Sequence, residues 1–207
     1  KIKNLLKHKN SNISYCPERI LQGSALVELN TLPQVISGIN KKSIKSSVVF
    51  FKSFVEEIII SSVIEAELIK LFSNAWRYIN FAASNQFYNI CQKFEINFNE
   101  LRKKMMKNYS RNQSLPLAGF AAGPCLVKDT MQLVNLTNNK FTMGKASLKI
   151  NEDFPNFLIK ELERKFILKK KKIGILGIAF KSDVDDTRDS LSIKLIKILK
   201  RKKIKFF

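Results

Sequence analysis

The sequence predicts an α/β protein with strand and helix units at both ends and a helical middle. Short β-branched runs alternate with helical patterns over residues 12–61. From Ile64, apolar residues then recur at helical spacing for about thirty residues, with no Pro or Gly among them. Near the other end, the run IGILGIAF at 173–180 is typical of a buried parallel strand, and a basic amphipathic helix is expected from Ser190.

Residues 12–61 are predicted to form the last part of a βαβ domain. The strand segments are short and rich in β-branched residues, and Gly38 ends the second of them. Pro17 suits the first turn of a helix, which must stop before the Leu32-Pro33 pair. The predicted strands are 12–16, 34–37 and 57–61, and the predicted helices run from Pro17 to just before Leu32 and over 41–54.

The middle of the chain is predicted to be helical. The long amphipathic pattern ends near Phe94, and a second helix starts at Asn97, where Glu100 three residues later forms a variant of the capping box. The next stretch is rich in Pro and Gly, and it is predicted to be a loop because these residues favour turns. The second helix is predicted to end near 107, the loop to cover 109–124, and a third helical region to cover 127–168 with breaks at 138–144 and at Pro155.

Composition indicates a soluble, folded globular chain. Of the 207 residues, 45% are hydrophobic and 26% are charged, which argues against disorder. Uncharged apolar stretches such as 58–64 are far shorter than the roughly 20 residues that a membrane span needs. The basic N-terminus KIKNLLKHKN is not followed by the apolar segment of a signal peptide, so we expect no secretion by that route.

The cysteine and histidine content excludes two kinds of site. The chain has three cysteines without a CxxC pair and a single histidine, His8. An odd number of widely spaced cysteines does not form a disulfide framework, and no zinc-ligand spacing occurs. We therefore expect no metal site and a location in the reducing cytoplasm.

The net charge of +20 raises the alternative of a basic, helical nucleic-acid-binding protein. Two features weaken it. Thirty of the 37 basic residues are Lys, whereas base recognition and bidentate phosphate binding depend on Arg. Residues 160–207 carry 16 basic and 6 acidic side chains, so half of the excess lies at one end. We interpret most of the charge as compositional drift toward Lys, Asn and Ile, with DNA binding as the alternative.

Cys125 is the first candidate for chemistry. It follows Gly123-Pro124 at a predicted helix start, where backbone N–H groups and the nearby Lys128 would favour a thiolate nucleophile. Asp129 follows one helical turn later. From the local sequence alone, an inert core cysteine is an equally open interpretation.

Lys70 and Asn74 form a second candidate pair. They lie one turn apart on the long helix, on a face that is otherwise apolar, and both can donate hydrogen bonds to an oxyanion. A Lys that snorkels to water beside a structural Asn is the alternative. Glu18 is a third candidate, either as a base or as an acidic residue that the helix dipole favours.

The acidic loop 180–190 is a fourth candidate, because it follows a predicted buried strand and would lie at the carboxyl edge of a sheet. Lys181 and Arg188 within it could bind phosphate groups. A solvated, salt-bridged loop is the alternative. The chain contains no GxGxxG, P-loop or HExxH motif, so this stretch supplies no cofactor cradle of its own.

Five motifs in one order resemble the nucleotide-sugar 6-dehydrogenase family, which includes the UDP-glucose, GDP-mannose and UDP-N-acetylhexosamine enzymes. The resemblance covers nearly the whole chain. The motifs are CPERILQG at 16–23, LPQVISGIN at 32–40, EAELIKLFSNAWRYINFAASNQ at 65–86, GFAAGPCLVKDTMQL at 119–133 and ILGIAFKSDVDDTRDS at 175–190.

The resemblance implies an oxidation of the sugar C6 hydroxymethyl group to a carboxylate, with two NAD+ used in succession. It assigns Cys125 the attack on an intermediate aldehyde, giving a thiohemiacetal and then a thioester. It assigns Lys70 and Asn74 to the stabilisation of the negatively charged oxygen. Asp129 matches the residue that transfers protons and orients water, and Glu18 matches one associated with thioester hydrolysis.

The resemblance also implies binding residues. Arg111 looks like the loop arginine that reaches the sugar nucleotide of a neighbouring subunit. Lys181, Phe180 and Lys128 look like substrate-binding residues, and Arg188 looks like a contact of NAD. The implied partners are a UDP-sugar and further copies of the chain, as a homodimer or higher homo-oligomer, with neither nucleic acid nor a membrane.

The resemblance divides the chain into three parts. Residues 1–62 would be the end of a Rossmann-like NAD-binding domain, 63–168 a central helical dimerisation domain, and 169–207 the start of a Rossmann-like UDP-binding domain. A parallel strand cannot satisfy its hydrogen bonds alone. We therefore expect an internal piece of a longer protein, without activity by itself.

The sequence departs from the family motifs at three places, and its spelling elsewhere favours one substrate branch. Gln22 stands where many members have Glu, Val127 where many have Pro, and Ala121-Ala122 replace a glycine-richer stretch. The PER and LPQ spellings favour a UDP-N-acetyl-glucosamine or -mannosamine dehydrogenase that supplies surface polysaccharide. A UDP-glucose 6-dehydrogenase and an inactive product of a decaying gene are the alternatives.

Overall fold

The structure is a computed structural model that describes residues 11–121 and 123–207. The basic N-terminal stretch with His8, and Ala122 of the departure noted above, lie outside the described residues. The chain forms two compact units, Lys1–Ser73 and Asn74–Phe207. The three-part division at 62/63 and 168/169 stays a prediction.

The first unit contains a small sheet with two helices. Strand β1 (Ser14–Tyr15) pairs antiparallel with β2 (Gln34–Gly38), which pairs parallel with β3 (Ile58–Ile60). The helices are α1 (Ala25–Thr31) and α2 (Lys41–Phe51). Gly38 permits a close approach of β2 to α2, because a Cβ atom there would lie 2.8 Å from Cβ of Ser43. These three strands confirm the predicted alternation of strands and helices.

The helix predicted to begin at Pro17 begins instead at Ala25. Residues 16–20 are irregular, because their carbonyl groups bond to side chains from elsewhere in the unit rather than to N–H groups of a helix. Gln34 Nε2 donates to the Pro17 carbonyl at 3.4 Å, and Lys70 Nζ donates to the Glu18 carbonyl at 2.6 Å. The predicted helix start was wrong, whereas its end before Leu32 was right.

The long helix α3 (Val63–Lys93) confirms the strongest pattern in the sequence. It is followed by α4 (Phe98–Met106), whose first turn is capped by the Asn97 side chain, which accepts from the backbone N–H of Asn99 and of Glu100. The Glu100 carboxylate pairs with Lys103 at 2.8 Å. The remaining helices of the second unit, within its described residues, are α5 (Pro124–Leu136), α6 (Thr142–Lys165) and α7 (Leu191–Arg201), the last confirming the helix expected from Ser190.

Pro155 does not interrupt α6, contrary to the prediction. A proline removes one backbone hydrogen bond from a helix. Here Pro155 is buried beside Phe154, whose ring packs edge-on against Tyr88 of α3 at 5.8 Å. Tertiary packing therefore outweighs the local cost, as it commonly does for intrinsic helix propensity.

The run 173–180 does not form the buried strand that was predicted. It makes one parallel bridge, between Ile173 and Phe206, and Leu176 is fully exposed. Within the described residues, the backbone of 205–207 forms hydrogen bonds with this run only at Ile173 and Ile175, so a continuous strand pairing does not form. Those two residues pack against a small core formed by Ile159, Leu168, Ile198, Leu199 and Ile204.

The overall class is confirmed as α/β with a helical middle. Within the described residues, each helix is too short or too polar to cross a membrane.

Candidate active site

Cys125 lies in the first turn of α5, directly after Pro124, and its side chain is exposed. The helix is preceded by Gly123, whose φ of 110° is open to glycine but strained for other residues. Gly123 provides no side-chain cap for the backbone N–H groups in the first turn of α5. The positive end of the helix dipole therefore lies beside the sulfur and favours negative charge there.

The three free thiols differ in accessibility. Cys91 is buried, and Cys16 is half-buried. Burial raises the pKa of the Cys16 thiol, although hydrogen bonds from Ser37 and Ser47 oppose the shift. Cys125 is therefore the thiol best placed to meet a reagent or substrate.

The loop before Cys125 is held by a buried pair of amides. Asn85 on α3 accepts from the Gly119 N–H at 2.8 Å and donates to the Gly119 carbonyl at 3.0 Å. Its Nδ2 also donates to Asn151 Oδ1 at 2.9 Å, and Asn151 donates to the Tyr78 carbonyl at 3.0 Å. Asn85 and Asn151 have no exposed surface. Two further bonds reach the same loop, from Ser84 to Pro116 and from Arg102 to Leu115.

Asp129 lies one turn after Cys125, so their Cβ atoms are about 6 Å apart by helix geometry. One Asp129 oxygen accepts a hydrogen bond of 2.5 Å from Nδ2 of Asn74. Asn74 is buried, whereas Asp129 is half-buried. This bond orients the Asn74 amide against the Asp129 carboxylate. The structure thus brings together Asn74, Asp129 and the helix that carries Cys125.

The loop 180–190 approaches the same helix. The Phe180 ring lies against Gly123, where an added Cβ atom would be 2.9 Å from the ring. Arg188 Nε and Nη2 donate to the Asp186 carboxylate at 3.0 and 2.7 Å. Hydrogen bonds from Arg188 lower the pKa of Asp186 from 3.8 to about 2. Lys181 in the same loop is half-buried.

Glu18 and Lys70 belong to the first unit. Lys70 is half-buried, and its amine donates to the backbone carbonyl of Glu18. The Glu18 carboxylate itself is exposed. The amine is therefore tied to the CPER segment through the main chain, and the roles of both residues stay predictions.

Arg111 and Lys128 are exposed. Arg111 lies in a short 3-10 turn, where it donates to the Tyr109 hydroxyl at 3.3 Å and its guanidinium carbon lies 5.7 Å from the centre of that ring. Lys128 follows Cys125 by three residues on α5. Their binding roles likewise stay predictions.

Sequence reasoning did not single out three positioning groups: Asn85, Asn151 and Asp186. Asn85 could have been found, because it lies eleven residues, or three turns, after Asn74 on the buried stripe of α3. Asp186 is indistinguishable by sequence from its acidic neighbours in the loop. Asn151 gives no local signal beyond a polar residue within an apolar pattern.

Another feature that the sequence did not suggest links α6 to α7. Lys194 pairs with the Glu152 carboxylate at 3.2 Å and also donates to the Glu152 carbonyl. Glu152 in turn accepts from the buried Tyr78 hydroxyl at 3.4 Å. Burial, and after it the charge of Glu152, raises the pKa of Tyr78, so its hydroxyl stays protonated.

Two family profiles match this chain. The central domain of the UDP-glucose/GDP-mannose dehydrogenase family matches residues 64–153, and the UDP binding domain of the same family matches residues 174–206. The chain belongs to the UDP-glucose/GDP-mannose dehydrogenase family. The resemblance inferred from the motifs is thereby confirmed.

Three similar proteins are named as UDP-N-acetyl-D-mannosamine dehydrogenases. The protein of Methanococcus maripaludis strain C7 is 36% identical over 93% of this chain and 45% of its own length, and that of Campylobacter jejuni is 32% identical over 89% and 46%. The structure of the UDP-D-ManNAc dehydrogenase from Pyrococcus horikoshii matches with a TM-score of 0.86 and 28% identity, over 99% of this chain and 51% of that one. The chain thus spans about half the length of these relatives.

Replacing Asn85 by Ala should destabilise the second unit by about 3 kcal/mol, because the Gly119 N–H and carbonyl and one Asn151 oxygen lose their partner in a buried place. Urea unfolding measures the change, and hydrogen exchange should show the Gly119 amide opening faster. Asn80→Ala, on the same helix but bonded to its own Trp76 carbonyl, is the control and should cost much less. Equal losses for the two variants would contradict this account.

Arg188→Gln should return the pKa of Asp186 from about 2 toward 3.8, because the hydrogen bonds that hold it low are lost. A lowered carboxyl pKa stabilises the folded state above pH 3.8, and that contribution disappears as the pH falls from 3.8 to 2. NMR titration of the Asp186 side chain measures the shift. Arg164→Gln, which removes an arginine that pairs with Glu161 instead, should leave Asp186 unchanged.

Proposed function

We propose that this chain is the central part of an NAD-dependent UDP-sugar 6-dehydrogenase in which Cys125 is the nucleophile. The observation that carries the proposal is the arrangement on α5. An exposed thiol lies at the positive end of the helix, one turn before a carboxylate that is oriented by a buried amide. Family membership supports the same reaction class.

The first oxidation converts the C6 hydroxymethyl group into an aldehyde. Asp129 accepts the hydroxyl proton, directly or through water, while a hydride leaves C6. Asn74 and Lys70 donate hydrogen bonds to the oxygen as it becomes negative, because both side chains carry N–H donors. Their assignment rests on the sequence resemblance.

The second oxidation proceeds through a covalent intermediate on Cys125. The Cys125 sulfur adds to the aldehyde carbon and forms a thiohemiacetal, which becomes a thioester when a second hydride leaves that carbon. Water then adds to the thioester carbonyl, the carbon–sulfur bond breaks, and the carboxylate and the free thiol are released. We assign the activation of this water to Asp129 and Glu18.

NAD+ accepts the hydride when bound, and the present residues offer one contact that fits it. The Arg188 guanidinium is exposed, anchored by Asp186, and suited to an amide or phosphate oxygen. We assign Arg188 to that contact. Phe180, Lys181 and Lys128 are assigned to the substrate, and Arg111 to the sugar nucleotide of a neighbouring subunit.

The proposed substrate is UDP-N-acetyl-mannosamine, with UDP-N-acetyl-glucosamine and UDP-glucose as less favoured sugars. The Methanococcus maripaludis and Campylobacter jejuni relatives, both more than 30% identical, are named for the mannosamine sugar, and the match to a UDP binding domain supports the UDP group. The acidic product would serve surface polysaccharide synthesis in the cytoplasm. Three free cysteines agree with a reducing compartment.

The whole protein that carries this chain with a dinucleotide-binding domain should release two NADH per UDP-N-acetyl-mannosamine, and the isolated 207 residues should release none. Absorbance at 340 nm measures both. Reading the gene upstream for a GxGxxG turn in the same frame identifies the protein to express. Cys125→Ser should abolish formation of the acid, whereas Cys16→Ser should keep most of the activity.

If the folded whole protein forms no NADH with any of the three UDP-sugars as substrate, the proposal is wrong. Equal loss of activity in Cys125→Ser and Cys16→Ser would overturn the role of Cys125 alone. Turnover by the isolated chain would show that the predicted dependence on a further domain is wrong.

We also propose that the chain forms a homodimer through α3. Trp76 and Phe72, one turn apart, are 60% and 56% exposed, which is unusual for large apolar side chains on one helix. Trp76→Glu should weaken self-association at least about tenfold, since buried Trp residues often dominate such interfaces. Sedimentation velocity measures this, with Arg77→Glu as a neighbouring control of larger charge change. A wild-type chain that stays monomeric would rule out the dimer.

A further inference from the structure

The loop 180–190 is fixed beside the helix that carries Cys125. The Phe180 ring packs on Gly123, two residues before the cysteine, and it blocks the space that a side chain at Gly123 would need. The loop also closes on itself, because the Phe180 N–H donates to the Asp186 carbonyl at 3.2 Å. This hydrogen bond brings Asp186, and with it Arg188, close to Phe180.

Arg188 has a defined orientation although its side chain is 72% exposed. Its Nε and Nη2 bond to the Asp186 carboxylate, and its own backbone N–H bonds to the same group at 2.9 Å. The Asp186 side chain is nearly buried. The Asp186 carboxylate thus binds both the backbone N–H and the guanidinium of Arg188, which fixes the orientation of this side chain.

The charge of Arg188 is within electrostatic reach of the sulfur. Hydrogen bonds to Asp186 and then its charge raise the pKa of Arg188, and the charges of Cys125 and Asp189 raise it further. On the helix of Cys125, Lys128 and Asp129 carry opposite charges. Arg188 adds a positive charge from a second element, the loop 180–190, whose Phe180 ring packs on Gly123.

We propose that Arg188 is the electrostatic partner of Cys125: held by Asp186, it places a positive potential at the sulfur and draws anionic groups to it. This extends the cofactor contact assigned above and rests on the proposed function in taking Cys125 as the nucleophile. Asp186 is the positioning residue for this effect.

Alkylation of Cys125 by two reagents tests the inference without substrate or cofactor. Iodoacetate is an anion and iodoacetamide is neutral, and both react with the thiolate. Their rate ratio at one pH therefore cancels the thiolate fraction and reports the potential at the sulfur. Mass spectrometry of the Cys125 peptide excludes the other two thiols, and Cys125→Ser gives the blank.

Arg188→Gln should lower the iodoacetate-to-iodoacetamide ratio at least about threefold, as expected for one charge several ångströms away in a solvated site. Raising the salt concentration to about 0.5 M should lower the ratio of the unmodified chain in the same direction. Arg164→Gln, an equal loss of charge on α6, should leave the ratio unchanged. Arg188→Lys should keep most of the effect.

Equal ratios for Arg188→Gln and Arg164→Gln would overturn the inference. So would a ratio in Arg188→Lys as low as in Arg188→Gln, since that would trace the effect to packing rather than to charge. Because alkylation needs no turnover, either result would leave the dehydrogenase proposal untouched. Circular dichroism of each variant confirms that it is folded.

Discussion

The hydrogen bond between the buried side chains of Asn85 and Asn151 is the constraint on which the candidate nucleophile depends. Burying two amides is costly unless their polar atoms are paired. Here Asn85 pairs with Asn151 and with both backbone groups of Gly119, and Asn151 reaches the main chain of α3. The pairing therefore holds the loop at Gly119, four residues before the glycine that precedes α5.

Three of the candidate side chains are each oriented by a second polar group. Asn74 on α3 is bonded to Asp129 on α5, and the Lys70 amine is bonded to the Glu18 carbonyl. Arg188 is held by Asp186 within its own loop. Such bonds matter more for orientation than for stability, because exposed ion pairs contribute little free energy while a reacting group misplaced by a fraction of an ångström loses rate.

Sequence patterns predicted elements well where the hydrophobic period was long. The 31 residues of α3 and the Asn97 cap of α4 were found because a sustained stripe and a capping side chain are local signals. The predictions failed at Pro17, Pro155 and the run 173–180. At each of these the deciding partner is distant: carbonyl contacts from Gln34 and Lys70, packing of Phe154 against Tyr88, and the short pairing with Phe206.

Motif spacing and helical periodicity are local to the chain, so the sequence was enough to identify the family and the helical middle, and it suggested which residues react. It could not say that Asp186, and not Asp183 or Asp185, holds Arg188, nor that Asn85 would meet Asn151 across 66 positions. The tertiary structure decided these pairings. Hydrogen bonds require partners within about 3 Å, and only the folded chain sets such distances between residues that are far apart in sequence.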